Sequence, residues 1–295
     1  MTGSRRACFG NLAIFAGVCS AILLTPADVQ AQTLSEKLTR KIGEAQKAEI
    51  DRKFDDALSA YSEALQVDPD SLNLRQVLKM RARLFEQLEE YPRAENDLTA
   101  ALKVDPPDLA LYADRGYFYM RRARYSDAMT DFTTGARLDP TSPAFPFGVG
   151  RVETALGRHK RAIENYNRAL YLDPRNARAF LARAESNVQL GLFGKARDDY
   201  GNALALPLER PQDRYFALLG RGYVAMMLGD LAAAVVDFDG ALAIVPGSHR
   251  ALAWRGYAYE KQGRRDLALS DYERAAASDP ADSILRDNAR RLRSE

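Results

Sequence analysis

Two cysteines and two histidines are all that 295 residues supply of the side chains that most often carry nucleophilic or metal chemistry. The histidines, His159 and His249, lie ninety residues apart and both near turns, which excludes a shared ligand set read from spacing. No zinc-ligand spacing, glycine-rich phosphate loop or nucleophile elbow is present. The chain is therefore expected to have no catalytic residues, no metal and no cofactor, and not to be an enzyme. Charge of one sign is also lacking: 42 Lys and Arg stand against 40 Asp and Glu. Such a balance gives no general electrostatic reason to bind nucleic acid.

Both cysteines, Cys8 and Cys19, fall in a first segment unlike the rest. "MTGSRR" is positively charged, Asn11 to Leu24 is an apolar run, and "TPADVQAQ" adds a helix breaker and small residues. That order predicts a secretory signal peptide over 1–31, with Val29 and Ala31 placed for cleavage before Gln32. The alternative is an uncleaved membrane anchor over residues 7–24, about as long as the shortest spanning segments. Val18 stands where a lipoprotein signal needs a small residue before Cys19. Removal of 1–31 leaves a chain without thiols, hence without disulfides, and with 40 basic and 39 acidic residues.

The prolines write a period through the rest of the chain. Pro69, Pro106, Pro140, Pro174, Pro207, Pro246 and Pro280 are spaced by 37, 34, 34, 33, 39 and 34 residues. Twelve residues before six of them stands an alanine: Ala57, Ala94, Ala128, Ala162, Ala234 and Ala268; Ala196 is eleven before Pro207. Four residues on comes Tyr61, Leu98, Phe132, Tyr166, Tyr200, Phe238 or Tyr272, and three further Ala64, Ala101, Gly135, Ala169, Ala203, Ala241 or Ala275. Steps of four and three put small, large and small residues on one helix face. Proline ends that helix, having no amide hydrogen. Upstream, Tyr112, Gly116 and Tyr119 step likewise, as do Leu218, Gly222 and Ala225, and Leu252, Gly256 and Tyr259. A glycine inside a helix costs about 1 kcal/mol relative to alanine. Its recurrence at Gly116, Gly222 and Gly256 predicts close packing against the small residues of the second helix.

With its hydrophobic-Gly-Tyr first helix and Ala-aromatic-Ala-Pro second helix, the sequence resembles the tetratricopeptide repeat family over roughly residues 38–282. The resemblance implies an all-α fold: a right-handed superhelical solenoid of about seven helix-turn-helix repeats. Their approximate bounds are 38–71, 75–108, 109–142, 143–176, 177–210, 215–248 and 249–282, in a solenoid taken as 32–280. Residues 283–295 read as a polar capping helix. Ala45 and Ala82 replace the glycine in the first two copies, and "LERPQD", Leu208 to Asp213, lengthens the joint between the fifth and sixth.

Comparing the copies separates the recurring tripeptide Arg-Gly-Tyr into parts. Arg81, Arg115, Arg183, Arg221 and Arg255 each have an Asp sixteen residues later, at Asp97, Asp131, Asp199, Asp237 and Asp271. The copies with Glu44 and Val149 instead have Ala60 and Asn165. Arg and Asp occur together or not at all, which predicts an ion pair within each of the five repeats. The Tyr points elsewhere, because residues two apart are about 200° apart on a helix. By the resemblance, Tyr117, Tyr223 and Tyr257 face the inner, concave groove. Their stripe also contains Phe147, Arg151, Arg178, Leu181, Phe216, Leu219, Met226, Arg250 and Lys261, with Arg121 adjoining. Some of these rings could instead pack between neighbouring repeats. The carboxylate clamp of chaperone-binding members needs Asn and Lys where this chain has Tyr117, Arg151 and Glu185, so that ligand is not expected.

The resulting expectation is an exported protein, periplasmic or secreted, that binds an extended or helical segment of a protein or peptide partner in an aromatic and basic groove. Nucleic acid is not expected as a partner, and a membrane only if the first segment is retained. The alternative is a structural or assembly factor of the cell envelope held by residues 7–24.

Overall fold

The computed structural model of the protein describes residues 26–67, 71–105 and 107–294. The apolar run, both cysteines, Pro69 and Pro106 lie outside the described residues, and with them most of the expected signal or anchor. Among the described residues there is no strand, and no helix is long and apolar enough to cross a membrane. The chain divides into two compact units, one ending at Glu89 and the other beginning at Glu90.

The first unit holds α1 (Pro26–Ile50), α2 (Phe54–Val67) and α3 (Ser71–Gln87). α1 is described from Pro26 onward, inside the segment read as a signal peptide. Leu38 and Ala45 of α1, Ala57, Tyr61 and Ala64 of α2, and Val77 and Leu84 of α3 form its core. The buried Tyr61 places its hydroxyl on the Glu49 carboxylate.

The second unit is a run of helices: α4 (Tyr91–Ala101), α5 (Ala110–Arg121), α6 (Tyr125–Leu138), α7 (Ala144–Ala155), α8 (His159–Leu172), α9 (Ala177–Gln189), α10 (Phe193–Ala205), α11 (Pro211–Met227), α12 (Leu231–Ile244), α13 (His249–Lys261), α14 (Arg265–Ser278) and α15 (Ser283–Ser294). α5 pairs with α6, α7 with α8, and so on to α13 with α14, and each pair packs on the next. α5, α7, α9, α11 and α13 also touch one another in succession and form an inner row of first helices.

Local chemistry explains the punctuation. Before the prolines, Asp139 and Asp173 accept backbone N–H bonds from Thr141 and Arg175, each at 3.0 Å; such Asx turns stop one helix and lead into the next. Asn176, Asp230 and Ser248 then cap α9, α12 and α13 by accepting from the N–H three residues on. Within each pair the turn passes through one residue of positive φ: Ala123 (55°), Gly157 (72°), Gly191 (69°), Gly229 (82°) and Gly263 (75°) in the second unit, and Arg52 (58°) in the first, where Glu89 (60°) also follows α3. At Gly157, paired bonds from Gly157 N to Thr154 O and Arg158 N to Glu153 O satisfy the last carbonyls of α7, as in a Schellman motif.

The recurring glycines meet rings first, which corrects the expectation that they meet only small residues; a Cβ on Gly256 would meet both the Tyr272 ring at 3.2 Å and the Ala268 backbone at 3.3 Å. A Cβ on Gly116 would stand 2.8 Å from the Phe132 ring, and one on Gly148 would stand 2.4 Å from the same ring. Phe132 is thus held between first helices of two successive pairs, α5 and α7. A ring offers far more apolar area than a methyl group to offset the helix cost of glycine. Phe118, inside the same tripeptide stretch, is fully buried. At the end of the chain, Leu285, Ala289 and Leu292 of α15 are buried, and Arg265 donates Nε to the Leu292 carbonyl at 3.1 Å.

Candidate partner-binding surface

Four of the five Arg and Asp sets can be followed within the second unit. Arg115 donates Nε and Nη2 to the two Asp131 oxygens at 2.8 and 2.7 Å. Arg183 does the same to Asp199 at 2.9 and 2.6 Å, Arg221 to Asp237 at 2.8 and 2.6 Å, and Arg255 to Asp271 at 2.7 and 2.7 Å. The fork geometry fixes the register of antiparallel helices. Arg115 and Arg221 have guanidinium pKa values raised above the ordinary range, first by these carboxylate hydrogen bonds and against the effect of burial. Arg81 lies in the first unit, where Nη1 donates to Ser62 Oγ at 2.9 Å; Asp97 is buried in the second.

The inner stripe divides into two stretches. In the first, Tyr117 is half-buried, packed edge-on against Phe132 at 5.0 Å and against the core between α7 and α8. Burial raises its phenol pKa, with Arg178 and Arg151 opposing that effect. Phe147, expected to line the groove, is only 5% exposed and packs on Tyr166 at 5.9 Å. The Arg178 guanidinium, arriving from the next first helix, stands 5.6 Å from the Phe147 ring and covers it. Arg121 and Arg151 are exposed, and Leu181 is partly buried against the core that holds Tyr200. The carboxyl pKa of Glu185 on α9 is raised chiefly by desolvation, with the charge of Arg151 pulling the other way.

In the second stretch the rings are more open. Phe216 is 53% and Tyr257 40% exposed. Tyr223 meets Trp254 edge-on at 5.2 Å, and Trp254 meets Tyr257 at 6.5 Å. Lys261 holds its ammonium 5.2 Å from the Tyr257 ring, and Arg250 is exposed at the start of the same helix. Leu219 and Met226 of the stripe belong to the core. Trp254 stands outside the Arg-Gly-Tyr tripeptide and is not among the residues expected to line the groove, although Arg250, Trp254, Tyr257 and Lys261 step by four, three and four along one helical face. Such a surface offers flat rings for contact area and cations at its edges for acceptor groups. Among the described residues, no group of three or more His, Cys, Asp or Glu side chains could hold a metal ion.

Family models for the tetratricopeptide repeat match residues 79–143 and 249–282, and one described as TPR repeat matches 150–191. No curated protein matches the chain. Among solved structures, a tetratricopeptide repeat protein from Parabacteroides merdae is similar at 16% identity and TM-score 0.57, covering 88% of this chain and all of that one. PilW, a type IV pilus biogenesis factor, is similar at 20% identity and TM-score 0.61, covering 72% of this chain and 97% of its own. YrrB, described as a TPR protein with an unusual peptide-binding site, is similar at 20% identity and TM-score 0.55, covering 66% of this chain and 97% of its own. At these identities the likeness is one of fold.

Proposed function

We propose that this protein, a chain of tetratricopeptide repeats with the all-α solenoid fold of that family, is an exported scaffold whose inner row of first helices binds a segment of a partner protein. The observation that carries the reading is the aromatic cluster of Tyr223, Trp254 and Tyr257, of which Tyr257 is exposed and the other two are partly buried, with Lys261 beside it. Rings left partly in water are costly there and are among the side chains most enriched at protein contacts. A repeat scaffold presents its inner helices to an extended or helical ligand as one continuous surface. YrrB offers a precedent within the fold for peptide binding. Arg250 and Lys261 favour a segment that carries carboxylates or ends in one.

The test is recovery of partners from an envelope fraction with the full-length gene product, comparing the native protein with a Phe216→Ala, Trp254→Ala, Tyr257→Ala variant. Loss of a specific partner is expected; equal recovery of every partner would move the binding surface off the inner row. The export part of the reading rests on residues 1–31 and is checked separately by fractionation and N-terminal sequencing. A soluble product beginning at Gln32 is expected, whereas a full-length product in the membrane would favour the anchored assembly factor.

A further inference from the structure

The recurring Arg has a further donor, Nη1, and its fate differs at one joint. Arg115 Nη1 donates to Thr99 Oγ1 at 3.0 Å, Arg183 Nη1 to Asn167 Oδ1 at 2.6 Å, Arg255 Nη1 to Asp239, and Arg81 Nη1 to Ser62 Oγ at 2.9 Å. Ser62, Thr99, Asn167 and Asp239 occupy one place in the repeat, directly after the core residue of the preceding second helix. For Arg221 that place is Gly201, which follows Tyr200 and has no side chain to accept. The Arg221 side chain is correspondingly 33% exposed, against 16–22% for Arg115, Arg183 and Arg255.

A cavity of about 720 Å³ opens where the missing side chain would stand. α10 and α12 form its walls and α11 its floor. Arg221 and Asp237 line it beside Gly201, and Ala225, Ala233 and Val236 give it an apolar side. A Cβ built on Gly201 meets nothing within 4 Å. The volume is that of an ordinary small-ligand site. Arg221 and Ala225 lie on the side of α11 turned away from Tyr223, so this cavity is separate from the inner aromatic row.

We propose that this gap is a second binding site, which takes a partner's segment presenting a neutral hydrogen-bond acceptor, a carboxamide or hydroxyl, beside an aliphatic side chain. The chemistry of the occupant is read from the other joints, where three of the four residues filling the same place are the neutral acceptors Ser62, Thr99 and Asn167. Charge agrees. Asp237 is committed to Arg221, Asp230 to the cap of α12, and Arg197 pairs loosely with Asp198 at 3.8 Å. Three carboxylates around two guanidiniums disfavour an added anion. The exposed Val236 would be covered by the aliphatic part of the occupant.

The full chain, labelled with nitrogen-15, is titrated with isobutyramide, which joins a carboxamide to an isopropyl group, and in parallel with isobutyrate and isobutylamine. Expected are saturable shifts of the Arg221 Nε–H and of the Gly201 and Ala233 amides with isobutyramide, and none with isobutylamine. Gly201→Asn fills the place from within; it should abolish those shifts and raise the midpoint of thermal unfolding, with the Arg115, Arg183 and Arg255 signals unmoved. Gly201→Ser is the smaller substitute should the Asn variant not fold. Absence of shifts with isobutyramide, their persistence in the Gly201 variants, or equal shifts with isobutylamine would each overturn the site. Tighter binding of isobutyrate than isobutyramide would overturn the neutral class of its occupant.

Discussion

The pairs α5/α6 and α7/α8 are neighbours of equal length, yet they hold themselves together differently. The first has Arg115 clasping Asp131 with two hydrogen bonds and reaching Thr99 with a third. The second has Val149 and Asn165 in those places, and Asn165 turns its amide to the Arg161 carbonyl at 2.9 Å. What both retain is a ring pressed on glycine: Phe132 on Gly116 and Gly148, Tyr166 on Gly150. Tyr166 is fully buried, its phenol pKa pushed up to about 12 mainly by burial, and its hydroxyl bonds Thr154 at 2.8 Å. The ion pair is therefore an option of the repeat, whereas the ring between small residues is common to both.

That contrast can be broken most sharply at Asp131. Asp131→Ala leaves a half-buried guanidinium without its carboxylate and should cost about 3 kcal/mol, measured by urea unfolding. Arg115→Val with Asp131→Asn copies the neighbouring pair and should cost less than Asp131→Ala alone; a cost equal to or above it would show the ion pair to be indispensable. Next in size, Gly148→Ala drives a methyl group into the Phe132 ring and should destabilise by about 1 to 3 kcal/mol, while Arg115 signals in NMR stay in place. The smallest effect belongs to the turns. Ala123 bears the positive φ that Gly157 bears in the next pair, so Ala123→Gly should stabilise by roughly 0.5 to 1 kcal/mol once the added freedom of the unfolded glycine is subtracted. Gly157→Ala should lose a comparable amount.

The period and the Arg and Asp spacing were legible because they recur within one chain, and a constraint written several times can be read by comparison. The partner of Gly116 was less so: helical spacing names the face a residue occupies, but not which atom of the facing helix comes nearest. Phe147 shows the same gap at the surface. Its stripe is the inner one, yet Arg178 from the following helix lies over it, and the reach of a long side chain across a joint is absent from single-helix geometry. Trp254 fits the stripe by its spacing alone, but it occurs in one copy and so has no counterpart that marks its place. The turn at Ala123 has no marker in composition, since a left-handed backbone there is imposed by its neighbours.

The shared position of Phe132 carries a consequence for how the second unit comes apart. A ring wedged between two successive pairs belongs to the stability of both, so an interior pair cannot melt without vacating contacts on each side. In a linear array such coupling makes loss of structure a peeling process that starts at a terminus and runs inward.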